Sequence, residues 1–173
     1  VVGVVVHRAL ELLSQRAVLP TEVDATIRRG LEFGLIDGGL SAHLLADSLA
    51  TAEAMVAATL KDKRGRWILG QHPEAHSELV LMSPGANGAP VQHIIDRTFL
   101  DPETGYRWVI DYKTSQPSAT ESEQQFLARE VQDYSAQLAR YRTVIESFFP
   151  TPSPVKTALY FPAASLWICP EGL

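Results

Sequence analysis

The sequence predicts a single α/β domain, in which a mixed β-sheet is flanked by helices and preceded by a helical segment. Apolar residues recur at helical spacing over residues 1–70 and again over about 121–148. Short apolar runs bounded by Gly and Pro, typical of strands, fill the rest of residues 76–170. The length of 173 residues is that of one domain. The expected order is helices, three strands, one long helix and two strands.

The first 70 residues predict three helices. The first spans Val4–Gln15, and Thr21 is predicted as the N-cap of a second helix that ends at about residue 34. Ser41 is predicted to cap the third helix, and Lys61–Arg66 is its charged exit. The apolar positions with helical spacing are Val6, Leu10 and Leu13 in the first helix and Leu45, Leu49, Ala52, Val56 and Leu60 in the third.

The remaining residues predict strands around one long helix. The five strands are Glu78–Met82, Val91–Leu100, Tyr106–Lys113, Val155–Phe161 and Ser165–Ile168. Apolar residues three and four apart predict the helix over about 121–148, and Pro150–Pro154 ends it. Its apolar positions are Leu127, Val131, Tyr134, Leu138, Tyr141, Ile145 and Phe148.

Composition excludes several classes of protein. The chain has 15 Lys and Arg against 20 Asp and Glu, a net charge of −5, whereas proteins that coat nucleic acid usually carry a basic excess. The single cysteine, Cys169, excludes a disulfide framework, a four-cysteine zinc site and a cysteine-held iron–sulfur cluster. No run approaches the roughly 18 apolar residues of a membrane span, and we recognise no signal peptide. We therefore expect a cytoplasmic protein and, since no Met begins the chain, a fragment of a longer one.

Two aspartates of the predicted hairpin lie opposite each other only in one register. If Leu100 pairs with Arg107, the loop is 102–105 and Asp96 lies directly across from Asp111. A shift by one residue would send the two carboxylates to opposite faces. Gly105 suits a loop position that needs positive φ, so the four-residue loop is favoured.

Opposed aspartates repel each other unless something neutralises them, and a divalent cation would do so. Carboxylate oxygens suit Mg²⁺ or Mn²⁺, and Lys113 lies one pleat beyond Asp111. Two acids, a metal and a lysine suit phosphodiester hydrolysis. The alternative is that Asp111 and Lys113 form a surface ion pair and that Asp96 pairs with Arg97. The bulky run Trp108–Lys113 favours the metal, because buried charges need a partner.

Four segments of the chain carry a recognisable pattern. In order, they are Gly3-Val4-Val5-Val6-His7-Arg8-Ala9-Leu10-Glu11, His93-Ile94-Ile95-Asp96-Arg97, Trp108-Val109-Ile110-Asp111-Tyr112-Lys113-Thr114 and Gln137-Leu138-Ala139-Arg140-Tyr141. They resemble motifs of the RecB/AddA-type nucleases, a branch of the PD-(D/E)xK superfamily. Ala158–Pro162 is similar to the closing strand of the family, so the likeness runs from Gly3 to about Pro162. Ile95 stands where the superfamily's name places a proline. The resemblance implies a restriction-endonuclease-like core.

The resemblance also implies a metal site. Asp96 and Asp111 would be carboxylate ligands of a catalytic Mg²⁺, for which Mn²⁺ would substitute. The backbone carbonyl of Tyr112 and the imidazole of His7 would be further ligands. On the residues alone, His7 also fits a buried histidine on an apolar helix.

The other family positions fall on residues around these ligands. Lys113 would be the catalytic lysine, and Gln137 and Tyr141, four residues apart on one helix face, would line the site and touch DNA or the lysine. Glu78, on the preceding strand, and Glu11, one turn after His7, would support the ligands from behind.

The function implied is a Mg²⁺-dependent deoxyribonuclease. In the family such a domain is the C-terminal part of a bacterial UvrD-like helicase–nuclease that processes double-strand breaks in DNA repair and recombination. The expected partners are DNA, the helicase domains of the same polypeptide and a partner subunit, with no membrane and no iron–sulfur cluster. The alternative is a catalytically inactive nuclease-like scaffold or DNA-guiding domain. Because the chain is acidic, we expect it to hold DNA weakly by itself.

Overall fold

The computed structural model describes residues 1–85, 87–149 and 154–170. The described residues form two compact units. The first comprises Val1–Gln71, Tyr112–Gln116 and Phe161–Leu166, and the second comprises the rest. Within the described ranges, no helix is both long and apolar enough to cross a bilayer.

Helices form most of the first unit. In the described residues they are α1 (Val2–Ser14), α2 (Ala25–Asp37), α3 (Ala42–Lys61) and α4 (Lys63–Leu69). The predicted positions Val6, Leu10 and Leu13 of α1 are buried, as expected from their helical spacing. Gly34 lets α2 approach α1 closely, because a Cβ at this position would lie 3.2 Å from the side chain of Val5.

The second helix begins three residues later than predicted and ends later too. Its N-cap is Asp24, not Thr21, because the Asp24 carboxylate accepts hydrogen bonds from the backbone N–H groups of Thr26 and Ile27, both at 2.8 Å. The bond from Ile27, followed by that from Thr26, holds the pKa of this carboxyl below its ordinary 3.8.

The prediction that Lys61–Arg66 is only a charged exit from α3 is wrong. Asp62 has an extended backbone and caps α4, accepting from the backbone N–H of Gly65 at 2.9 Å. The guanidinium of Arg66 then donates to the carbonyl of Pro20 at 2.8 Å. The charges of this segment therefore begin a new helix and fix a loop.

The strands form a sheet, and most of it lies in the second unit. The described strands are β1 (His76–Pro84), β2 (Pro90–Leu100), β3 (Arg107–Tyr112), β4 (Val155–Phe161) and β5 (Leu166–Ile168), in the spatial order β1-β2-β3-β4-β5. β1, β2 and β3 are antiparallel neighbours, whereas α5 (Glu123–Phe148) joins β3 to its neighbour β4. The expected fold class, α/β with a mixed sheet and flanking helices, is confirmed.

The register of the β2–β3 hairpin is the predicted one. Leu100 pairs with Arg107, and the backbone N–H of Asp101 donates to the carbonyl of Tyr106 at 2.9 Å. Gly105 has φ of +71°, which glycine adopts without the steric cost of a Cβ. Tyr112 ends β3, so Lys113 follows the strand directly.

Helix α5 packs its C-terminal half on the sheet. The buried core joins strand and helix side chains, which are Leu81, Ile95, Val109, Val144, Ile145 and Val155. Phe148, predicted in the apolar stripe, is 49% exposed because it lies in the last turn, beyond this core. Residues 150–153 of the predicted helix-ending segment lie outside the described residues.

Removing the cap of α5 is expected to destabilise the protein. The Ser122 hydroxyl accepts from the backbone N–H of Gln125 at 3.2 Å, and the Gln125 side chain accepts in return from the backbone N–H of Ser122 at 3.0 Å. Ser122→Ala should lower the free energy of unfolding by about 1 kcal/mol in urea titrations.

Ser41→Ala is the matched control, because Ser41 occupies the N-cap of α3 without a side-chain capping bond. Its effect should be clearly smaller. Equal losses for the two variants would contradict a contribution from the capping box.

Candidate active site

Three acidic residues occupy neighbouring strands at one level of the sheet. β1 and β2 pair Ser77 with Arg97 and Leu79 with Ile95, so that Glu78 is set opposite Asp96. β2 and β3 pair Arg97 with Ile110. One more step of this register sets Asp96 beside Asp111. We call Glu78, Asp96 and Asp111 the acidic row.

The side chains of the acidic row lie close together and are mostly buried. Carboxylate oxygens of Glu78 and Asp96 lie within 4.8 Å of each other. Asp96 is 8% exposed and Asp111 2% exposed, while Glu78 is half-buried. Glu78 has φ of +49°, a left-handed conformation that costs a side-chain-bearing residue energy. The strand therefore departs from regular geometry at the residue that brings the first carboxylate to the row.

The donor set of the row fits a hard divalent cation. Carboxylates buried at this separation repel one another unless a positive charge lies between them. Oxygen ligands of this kind suit Mg²⁺ and Mn²⁺, whereas softer metals favour sulfur and nitrogen. The row thus offers a place where such an ion would offset like charges.

Helix α5 brings two predicted site residues to the row. The amide Nε2 of Gln137 donates to Asp111 Oδ1 at 3.3 Å and to the Tyr141 hydroxyl at 2.8 Å. The two residues lie one helical turn apart, so one amide links the helix to the strand. Tyr141 also packs against the core beneath the helix, and only its hydroxyl takes part in this link.

The surroundings of Tyr141 keep its hydroxyl protonated. Partial burial raises its pKa above the ordinary 10, and the negative charges of Asp111 and Asp96 raise it further. The hydrogen bond from Gln137 acts in the opposite direction. At neutral pH the group therefore offers a proton for hydrogen bonding and adds no negative charge beside the carboxylates.

The first unit holds the remaining predicted residues. The ring of His7 on α1 meets the ring of Tyr112 edge-on, with centroids 5.7 Å apart. A Cβ at Gly3 would lie 3.1 Å from Thr114 Oγ1, so glycine lets α1 approach the segment that follows Lys113. The Gly3 and His7 positions of the first motif thus both contact the end of the third.

Glu11 contacts one side chain of its own helix, α1, and one at the C-cap of that helix. Its carboxylate pairs with the guanidinium of Arg8 and accepts from Gln15 Nε2 at 3.4 Å. Its support of His7 stays a prediction, as do the assignments of His7, Tyr112 and Lys113.

One polar pair near the row was missed by sequence reasoning. Ser83 Oγ and His93 Nε2 lie 2.8 Å apart across β1 and β2. The only signal in the sequence is that His93 precedes Asp96 by three residues in the second motif. No sequence feature indicated the left-handed backbone of Glu78, since this residue begins a run, Glu78–Met82, that reads as a regular strand.

A sequence model described as the PD-(D/E)XK nuclease superfamily matches residues 1–166. No curated protein matches the chain.

The electrostatics of the row can be tested through Tyr141. In protein stripped of divalent cations, Tyr141 should titrate above pH 10 because burial and the two aspartates disfavour its anion. Asp111→Asn should lower that midpoint, since it removes a negative charge. The measurement is a ¹³C NMR titration of tyrosine-labelled protein, with Tyr141→Phe to assign the resonance. A midpoint that Asp111→Asn leaves unchanged would contradict the proximity of the two side chains.

Proposed function

Because this chain belongs to the PD-(D/E)XK nuclease superfamily, whose members are typically nucleases, we propose that it hydrolyses phosphodiester bonds of DNA with the help of a divalent cation. The observation that carries the proposal is the acidic row, set by the sheet register and linked to α5 through Gln137. A fold alone does not define a reaction, and the acidic row supports this one because carboxylate oxygens are the ligands that Mg²⁺ favours.

In this proposal Asp96 and Asp111 hold the ion, Mg²⁺ or in its place Mn²⁺. The backbone carbonyl of Tyr112 and the imidazole of His7 complete the ligands, and Glu78 supports them. The bound ion would supply positive charge to a phosphate oxygen and lower the pKa of a coordinated water. Glu11 is proposed to support His7.

Lys113 is proposed to orient the attacking water and to balance the negative charge that develops on the phosphate. A lysine ammonium offers three donors and a localised charge, which suits both tasks. Gln137 holds Asp111 in place, and its second bond orients the Tyr141 hydroxyl. That hydroxyl is proposed to donate to the DNA backbone.

The cellular setting is also part of the proposal. We infer that the domain is the nuclease part of a bacterial helicase–nuclease that processes double-strand breaks, together with helicase domains of the same polypeptide and a partner subunit. The net charge of −5 supports this view, because a chain poor in basic residues gains little from phosphate neutralisation and benefits from delivery of its substrate.

A cleavage assay tests the function. The chain is incubated with labelled linear single-stranded DNA and Mg²⁺ or Mn²⁺, and the products are resolved on a gel. Asp111→Asn and Lys113→Ala should each reduce the rate by about 10²-fold or more, because a ligand and a charge-balancing group are lost. A chelator should abolish cleavage.

Asp47→Asn is the matched control, since Asp47 is exposed on α3 and the substitution changes the charge by the same amount. It should retain the wild-type rate. Equal degradation by the wild type and both site variants, or none by any of them, would overturn the proposal in favour of an inactive, nuclease-like domain.

A further inference from the structure

A shallow cleft of about 390 Å³ lies between α5 and the β1–β2 hairpin, within the second unit. Ser83 and His93 line it from the ends of β1 and β2, and Ala139, Arg140 and Thr143 line it from α5. Nothing in the proposed catalytic chemistry uses this cleft. Its lining nevertheless combines hydroxyl, imidazole and guanidinium groups, all of which donate hydrogen bonds.

Ser83 and His93 are hydrogen-bonded to each other in the cleft. The Ser83 oxygen lies 2.8 Å from His93 Nε2, and His93 is only 7% exposed. When Nε2 carries the proton it donates to the Ser83 oxygen, and the serine O–H is then free to donate into the cleft. An anion there would favour this arrangement of the two protons.

Close backbone packing follows Ser83 at the end of β1. The backbone N–H of Gly85 donates to the carbonyl of Ala89 at 2.7 Å. A Cβ at Gly85 would lie 2.9 Å from Val91 and 3.0 Å from the Ala89 oxygen, so position 85 admits only glycine without rearrangement.

Arg140 brings a positive charge to the cleft. It is exposed, and no carboxylate in the described part of the chain pairs with it. Ala139 beside it is small, and Thr143, one turn on, donates its hydroxyl proton to the Ala139 carbonyl at 3.1 Å. The Thr143 oxygen is thereby oriented, while the guanidinium has all its donors available to an anion.

We propose that the cleft binds a phosphate that is not cut, on the same DNA strand as the phosphate that is cleaved at the acidic row. The inference rests on the proposed function. Helix α5 borders both places, because Gln137 donates to Asp111 of the row and Arg140, in the cleft lining, follows Gln137 by about 4.5 Å of helix rise. A DNA strand that runs along α5 from the acidic row reaches the cleft, where Arg140 and Ser83 donate to phosphate oxygens and His93 positions the serine.

Equilibrium binding tests the assignment. The probe is a fluorescent single-stranded oligodeoxynucleotide with Ca²⁺ in place of Mg²⁺, its integrity checked on a gel. Arg140→Ala should raise Kd about fivefold to tenfold and lessen the slope of log K against log salt by about 0.7, the share of one phosphate contact. Arg29→Ala on α2 removes the same charge outside the cleft lining and should change neither the slope nor Kd appreciably.

Ser83→Ala should also raise Kd, and adding His93→Gln to it should have little further effect, because the imidazole acts through the serine. Arg140→Lys should restore part of the affinity. In the cleavage assay Arg140→Ala should raise KM while leaving kcat within about twofold, as expected for uniform binding. Thermal unfolding checks that each variant folds.

The outcomes separate the two proposals. Cleavage by the wild type with unchanged Kd, salt slope and KM in Arg140→Ala overturns the phosphate subsite and leaves the nuclease proposal standing. Absence of cleavage together with the predicted binding losses overturns the nuclease proposal and retains the subsite. An effect of Arg29→Ala equal to that of Arg140→Ala also overturns the subsite, because only net charge would then matter.

Discussion

Repulsion among closely placed carboxylates is the constraint on which the rest of this structure depends. The pairing of β1, β2 and β3 sets Glu78, Asp96 and Asp111 side by side, and two of them are nearly buried. Such an arrangement costs free energy in the folded protein unless a cation offsets it. The left-handed backbone of Glu78 adds to that cost. A bound cation would offset the electrostatic part of this cost.

Helix α5 connects this cluster to the stability of the fold. Its C-terminal half buries Val144 and Ile145 in the core, which fixes the helix on the sheet. About two turns before Val144 on the same helix, Gln137 donates both to Asp111 Oδ1 and to the Tyr141 hydroxyl, so no loop lies between the core and this contact. Side chains on packed elements hold their geometry better than those on loops, so the helix serves both the core and the site.

Local chemistry made much of the fold and part of the site predictable. Gly105 favoured a hairpin loop of four residues, and because loop length determines register, the sequence favoured the opposition of Asp96 and Asp111. The N-cap of α2 did not, since Thr21 and Asp24 are both good capping residues and packing chooses between them. The Ser83–His93 pair depends on two strands and a turn, which no spacing rule reveals. The role of His7 comes from family resemblance alone, whereas that of Lys113 also follows from its position one pleat beyond Asp111.

The central claim is that the acidic row binds a catalytic divalent cation, and diffraction from crystals grown with Mn²⁺ tests it most directly. Anomalous scattering locates the ion independently of any assumption about its ligands. The account predicts an ion bound by carboxylate oxygens of both Asp96 and Asp111, with Mg²⁺ at the same position and about 2.0–2.1 Å from its oxygen ligands. Crystals soaked in Mn²⁺ that hold no ion at these residues, or that show the two carboxylates on opposite faces of the sheet, would contradict it.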